Sequence, residues 1–359
     1  MVKLGEIARF VNGAAFKPTD WTETGYPIIR IQNLTNQSTI FNRTHREVKE
    51  ELYVKEGDIL VSWSATLDVF RWNRSETAVL NQHIFKVCDV RSDVDRDYLY
   101  FGLAYALEQA ERHLHGATMR HINRQEFLSL KLPLPPIEEQ RRIAEMLNQV
   151  SESVHRNDQQ IELQYGLLNI DLGQYTGKEI SIADIATPRS GQIDPTLPEF
   201  QDIRHVAPNC ITSGIPEIMF ANTCAEDEVT SGKYQFQRGD VLYSKIRPYL
   251  NKVAIPDFNG VCSADMYALE PKEPYSSQFV RAVLMSRQFL DYVEKESGRA
   301  SIPKINRNSL LKFTFPAPTN EQLNELTQRA ISIEKSISLL RKRSLLLSEL
   351  LSATTQKAF

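Results

Sequence analysis

Glu56-Gly-Asp-Ile-Leu60 and Arg238-Gly-Asp-Val-Leu242 are one pattern written twice, a glycine and an acid leading into an apolar run, about 182 residues apart. The repeat extends outward from this pair. Upstream, Leu4-Gly-Glu-Ile-Ala8 returns as Ile182-Ala-Asp-Ile-Ala186, each followed within a few residues by a glycine, Gly13 and Gly191. Downstream, Leu80-Asn-Gln-His-Ile-Phe85 faces Cys262-Ser-Ala-Asp-Met-Tyr267, where only the apolar ends agree. Gly116 and Ile122-Asn123 then match Gly298 and Ile305-Asn306, and Pro136-Ile-Glu-Glu-Gln140 matches Pro318-Thr-Asn-Glu-Gln322. The shared order and spacing mean a duplicated architecture.

Each copy reads alike. Tyr26-Pro-Ile-Ile-Arg-Ile31, Asp58-Ile-Leu-Val-Ser-Trp63 and Asp240-Val-Leu-Tyr-Ser244 have the apolar runs of strands. Helices are predicted over Tyr98–His113 and Gln278–Glu296. The proline-marked exits Leu132-Pro-Leu-Pro-Pro136 and Phe315-Pro-Ala-Pro318 close each domain. A long helix follows each exit. In the second copy Leu323, Leu326, Ala330, Ile333, Ile337, Leu340, Ser344, Leu347 and Leu351 fall at alternating three- and four-residue steps, a heptad seam. In the first, Ile143, Leu147, Val150, Val154, Asn157, Ile161 and Leu168 follow the same rule, with polar gaps at Asn157 and Gln164. A single such stripe is ordinary core packing. Helices of about 30 residues, roughly 45 Å long, exceed what one compact domain needs and suit a spacer. The predicted organisation is mixed α/β: domains at 1–137 and 173–318, and long helices at 138–172 and 319–355 that pair with each other.

Composition permits this and little more. The chain has 359 residues, 42% hydrophobic and 24% charged, which suits two folded domains. A formal net charge of −3 gives no basic excess of the kind common in nucleic-acid binders. Cys88, Cys210, Cys224 and Cys262 lie far apart, so neither a disulfide framework nor a zinc site is indicated. No run of about 18 apolar residues occurs and the N-terminus has no basic-then-apolar leader, so the expected location is cytoplasmic.

In their duplicated order these motifs, with Asn81-Gln-His83 and Ser244-Lys-Ile-Arg-Pro-Tyr-Leu-Asn-Lys252, resemble the specificity subunits of type I restriction-modification enzymes. The resemblance covers nearly the whole chain. It implies two target-recognition domains, each reading one half of a split site in double-stranded DNA. The two helices would be antiparallel and set the unread gap. It further implies docking of two adenine-N6 methyltransferase subunits and, in restricting forms, of translocating nuclease subunits. S-adenosylmethionine, ATP and magnesium belong to those partners, leaving this chain non-catalytic and without a cofactor. In keeping with that, no Gly-rich methyltransferase fingerprint, Asn-Pro-Pro-Tyr-like pocket or phosphate-binding loop is present.

Base edges are read by paired donors and acceptors, while hydroxyls and amides mostly hold phosphates. The candidate DNA-contacting residues in the first domain are Arg43, His45, Arg46, Ser62, Ser64, Thr66, Asn81, Gln82 and Arg120. In the second they are Arg189, Arg204, Ser244, Lys245, Arg247, Tyr249, Asn251, Lys252 and Lys304, with the segment Ser244–Lys252 ranked first. A solvated loop is the alternative for each, and a core histidine is the alternative for His83. Asn123 and Asn306 recur in both copies and are read as helix caps instead. Two other functions compete. Pro256-Asp257 with Glu270-Pro-Lys272 loosely matches a magnesium-dependent nuclease pattern, although Pro271 suits its strand badly. A coiled-coil protein-interaction scaffold would fit the near-neutral charge.

Overall fold

The computed structural model describes residues 1–35, 40–113, 122–297 and 302–359. The chain divides into two compact units, Met1–Arg156 with Ser344–Phe359, and Asn157–Arg343.

In the first unit, Val2–Lys3 pairs antiparallel with Lys131–Leu132, joining the start of the domain to its exit. An antiparallel sheet runs Arg9–Asn12, Ile84–Cys88, Ile59–Ser64, Thr66–Arg71. A second runs Arg43–Thr44, Tyr26–Ile29, Ala78–Leu80, Tyr53–Val54, with the middle two parallel. The repeated Gly-Asp pattern explains the central strand. Gly57 adopts φ 85°, a conformation costly for side chains, and Asp58 accepts a 2.8 Å bond from the amide of Lys55 to close the turn. The apolar run then passes between two cores. Ile59 and Val61 face one with Phe10, Phe85 and Phe127, while Leu60 faces the other with Ile29, Trp72 and Leu80. A strand buried on both faces reads as a continuous apolar run for this reason.

The second unit repeats the plan. Glu179–Ser181 pairs with Thr314–Pro316, and one sheet runs Ala186–Pro188, Met266–Pro271, Val241–Ser244, Val253–Ala254. Gly239 has φ 90° and Asp240 accepts from the amide of Gln237 at 2.8 Å. Val241 and Tyr243 enter one core and Leu242 the other. Here too a parallel pair, His205–Val206 with Gly260–Cys262, sits in the second sheet beside Lys233–Phe236. The outer strand differs: Gln192–Ile193 joins beside Lys233–Phe236, whereas in the first unit Arg43–Thr44 joins beside Tyr26–Ile29. Cys210, Cys224 and Cys262 are buried, Cys88 half-buried, and all four are free thiols.

The helix of the first unit is continuous over Arg96–His113. Its counterpart, read from the sequence as one helix, is two, Ser277–Met285 and Arg287–Glu296. Ser286 makes the break: its backbone is extended at ψ 151°, and its hydroxyl oxygen accepts from the amide of Phe289 at 3.2 Å. Asn123 and Asn306 cap their helices as expected, each Oδ1 accepting a 2.9 Å bond from the amide three residues on, Glu126 and Ser309. Asn123→Ala and Asn306→Ala are each expected to lower stability by about 1 kcal/mol in urea denaturation, Asn→Gly by a few tenths.

The long helices are Ile137–Gly166 and Asn320–Ala358. In the first unit, Ile143, Ala144 and Leu147 pack with Leu351, Ala358, Phe359 and Tyr98. In the second, Ile161, Tyr165 and Leu168 pack with Ala330, Ile333 and Ile337, and Asn157 Nδ2 donates to Leu340 O at 2.8 Å. In the second unit Asn157 meets Leu340 while the later residues Ile161 to Leu168 meet the earlier Ala330 to Ile337, so the paired segments there are antiparallel. The first helix ends at Gly166, short of residue 172. Leu168 extends the apolar seam from the turn beyond, and Leu172–Gln174 forms a separate short helix begun by Asp171.

Candidate nucleic-acid interface

The first unit engages four of its candidate side chains, Arg43, His45, Arg46 and Ser62, in local bonds. Arg43 pairs with Glu76 at 2.6 Å, which holds that carboxyl below its usual range, and also donates to Gly25 O at 2.7 Å. Arg46 reaches Asp20 at 3.3 Å and Ala15 O at 2.8 Å. The exposed His45 has Nε2 3.0 Å from Thr24 Oγ1. Ser62 is fully buried and donates to Ser64 O at 3.2 Å, so it faces no ligand and leaves the candidate set. Ser64 and Thr66 flank Ala65 at the hairpin turn, where Ala65 has φ 63°. Asn81 is half-buried, bridged to Ala14, while Gln82 and His83 are exposed. His83 is therefore no core residue. It adopts φ 76° and sits 5.1 Å from the ring of Trp63, whose Nε1 donates to Asn12 Oδ1 at 3.1 Å. A Cβ on Gly13 would lie 2.0 Å from Asn81 O, which explains the glycine there. Arg120 lies outside the described residues.

In the second unit Ser244, too, is buried, donating to Ile246 O at 2.9 Å, and is excluded for the same reason as Ser62. Arg189 is paired with Asp240 at 2.5 Å and with Glu270 at 3.4 Å. Lys304 pairs with Asp265 at 3.1 Å. Lys252 turns inward to Pro208 O at 2.7 Å, and burial lowers its pKa. Lys245 donates to Ala264 O at 2.7 Å beneath the rings of Tyr267 and Tyr234, 4.4 and 5.3 Å away, and burial lowers its pKa as well. Asn251 is half-buried with φ 48°. Tyr249 is 57% exposed. Of the candidate cations in this unit, Arg204 and Arg247 remain exposed with no ion pair among the described residues; Arg204 lies 4.7 Å over the ring of Phe258.

Lys245, Arg189, Gln192, Tyr234, Tyr267 and Arg307 line one concavity of about 410 Å³. Sequence reasoning missed Arg307 and its counterpart Arg124. They donate to equivalent backbone positions, Pro188 O at 3.3 Å and Phe10 O at 3.2 Å, bracing each capped helix to the first strand of its sheet. The signal was the Asn-Arg pair, which follows the isoleucine in both copies. The nuclease-like pattern is dispersed: Glu270 engages Arg189, and Lys272 donates to Ala183 O at 2.5 Å.

The sequence profile of the type I restriction modification DNA specificity domain matches residues 1–164. The type I restriction enzyme EcoDI specificity subunit of Escherichia coli is 27% identical over 298 residues, 68% of this chain and 66% of that protein. The MjaVIII specificity subunit of Methanocaldococcus jannaschii is 22% identical over 95% of this chain and 87% of its own length. Residues 1–164 thus resemble the type I DNA specificity domain, and the chain is similar over most of its length to type I specificity subunits. The fold of solved type I S subunits extends over both copies. The crystal structure of the S subunit from M. genitalium aligns with 99% of this chain and 95% of its own, with a TM-score of 0.51 at 13% identity. A second chain, from a study of type I R-M complex assembly and conformational transition, aligns with 99% of this chain and 96% of its own, with a TM-score of 0.53 at 14% identity. Among the described residues no helix is long and apolar enough to cross a membrane.

Proposed function

We propose that this chain reads a bipartite sequence in double-stranded DNA for a type I restriction-modification complex. Each recognition domain, 1–137 and 173–318, reads one half-site. The helices, over 138–172 and 319–355, fix the unread gap and dock two adenine-N6 methyltransferase subunits. S-adenosylmethionine binds in those subunits, while ATP and magnesium serve nuclease subunits where present. The chain itself positions DNA and performs no chemistry. It works in the cytoplasm, where its DNA is.

The observation that supports this reading is the duplicated sheet with different surface chemistry. Leu60↔Lys86 and Leu242↔Ala268 are the same register in the two central strand pairs. At the end of those strands the first unit has Trp63 and His83, and the second has Lys245 and Asp265. A scaffold repeated with altered side chains suits two half-sites of different sequence. A near-neutral chain, several of whose candidate cations are engaged by local acids or carbonyls, also fits a subunit whose partners supply much of the phosphate neutralisation.

The test is to co-express the chain with the methyltransferase encoded beside it, if there is one, and map modified adenines across the host genome. The expected result is a split motif that disappears when this chain is omitted. Methylation that is active yet independent of the chain would overturn the reading.

A further inference from the structure

Ser62 and Ser244 hold the same place near the ends of the central strands, each hydroxyl closing on the carbonyl two residues on. The next residue in each copy takes a left-handed backbone, Ala65 at φ 63° and Arg247 at φ 47°. Beyond this shared turn the hairpins diverge. In the first unit pairing resumes at once, Ser64 opposite Thr66, and continues to Ile59 opposite Arg71. In the second the tip opens through the helical turn Pro248–Leu250 and Asn251, and pairing resumes at Tyr243 opposite Val253.

A left-handed backbone is unfavourable for a residue as large as arginine. Here it is held by bonds from Arg247 N to Pro303 O at 2.8 Å and from Leu250 N to Arg247 O at 2.9 Å, with Pro248 buried beneath. The guanidinium makes no hydrogen bond, ion pair or ring contact among the described residues. It stands exposed on a hairpin tip beside Tyr249. The turn imposes this backbone in both copies, yet only the second places a long cation on it and leaves that cation exposed, which suits a ligand outside the chain.

Two kinds of DNA contact are open to such an arginine. Phosphate contacts are the same for any sequence, so two copies of one scaffold should share them. Position 247 is not shared: the equivalent turn carries Ala65. Base contacts must differ between half-sites, and the arginine fork matches O6 and N7 of guanine in the major groove, which is wide enough for a two-stranded β-ribbon. We infer that the hairpin tip of the second unit enters the major groove and that Arg247 is a specificity-determining residue reading a guanine in that unit's half-site. This rests on the DNA-reading function proposed above.

The experiment is selection from a randomised duplex library at fixed salt, by the full chain alone and with the methyltransferase encoded beside it. Arg247→Ala and Arg247→Lys are compared with the wild type. Alanine already occupies this turn in the first copy, so Arg247→Ala should fold. Both variants should keep one half-site intact and lose preference for a single guanine in the other, by roughly 5- to 150-fold. A variant that binds every sequence more weakly with the motif unchanged would make Arg247 a phosphate contact and overturn the inference while leaving the proposed function standing. So would full retention of the motif and affinity, in either variant. If the wild type selects no split motif in either form, the proposed function fails and this inference with it.

Discussion

A heptad inserted into each long helix, between Val154 and His155 and between Arg343 and Ser344, is expected to widen the unread gap by about three base pairs without altering either half-site. Seven residues add about 10.5 Å of helix, and a turn of B-DNA of about 34 to 36 Å holds 10 to 10.5 base pairs. Seven is the length that restores the seam, because apolar positions recur on that repeat. The residual rotation of about 20° per heptad is small. Inserting in one helix alone should instead cost stability, since the partners on one side of the insertion, such as Asn157 and Leu340 O, would be offset by seven residues even though the apolar faces stay in phase. The methylated-adenine map of the paired insertion reads the result directly. An unchanged gap would refute the idea that the helices act as a ruler.

Glu334→Ala is expected to destabilise the second unit by about 3 to 5 kcal/mol. Arg281 lies in the helix Ser277–Met285, in a stretch buried from Phe279 to Met285, and its side chain is 4% exposed. Its Nη1 donates to the Glu334 carboxylate on the second long helix, and Gln278 approaches the other oxygen at 3.5 Å. Removing the carboxylate leaves a buried guanidinium without its counter-charge. That loss is a large part of the 5 to 15 kcal/mol typical of a domain. Replacing both partners, Arg281→Met with Glu334→Leu, should recover most of it, because no charge is then left alone. Urea denaturation of the three variants measures this. A loss under 1 kcal/mol for Glu334→Ala would mean the pair does not hold helix to domain.

The features readable from sequence were those carried by local or periodic signals. The Gly-Asp turns, the asparagine caps and the heptad seam each depend on residues a few positions apart, and the duplication made each visible twice. The surface was harder to read. Ser62 and Ser244 look like polar contacts, yet a hydroxyl that bonds a carbonyl two residues on can sit inside a sheet. Arg43 and Arg189 look like free cations, but their acids, Glu76 and Asp240, are brought close only by the fold. The break at Ser286 was hidden because serine is tolerable within a helix and becomes a cap only when the chain must turn. Gln140, fully buried, accepts from Asp95 N and donates to Asp93 O and Pro135 O. Its sequence neighbours suggested only an ordinary first helical turn.

The acid of the Gly-Asp turn, half-buried as Asp58 and buried as Asp240, has a different counter-ion in each copy. Asp58 is neutralised by Lys86 on the strand two registers away, whereas Asp240 faces Arg189, just past the first strand of its sheet. Position 86 corresponds to Ala268 in the second copy, so the two solutions cannot be mixed strand by strand. A hybrid joined inside either sheet could inherit the acid without its base. A hybrid joined within the long helices instead keeps each acid with its own base, because Asp58 with Lys86 and Asp240 with Arg189 then travel together.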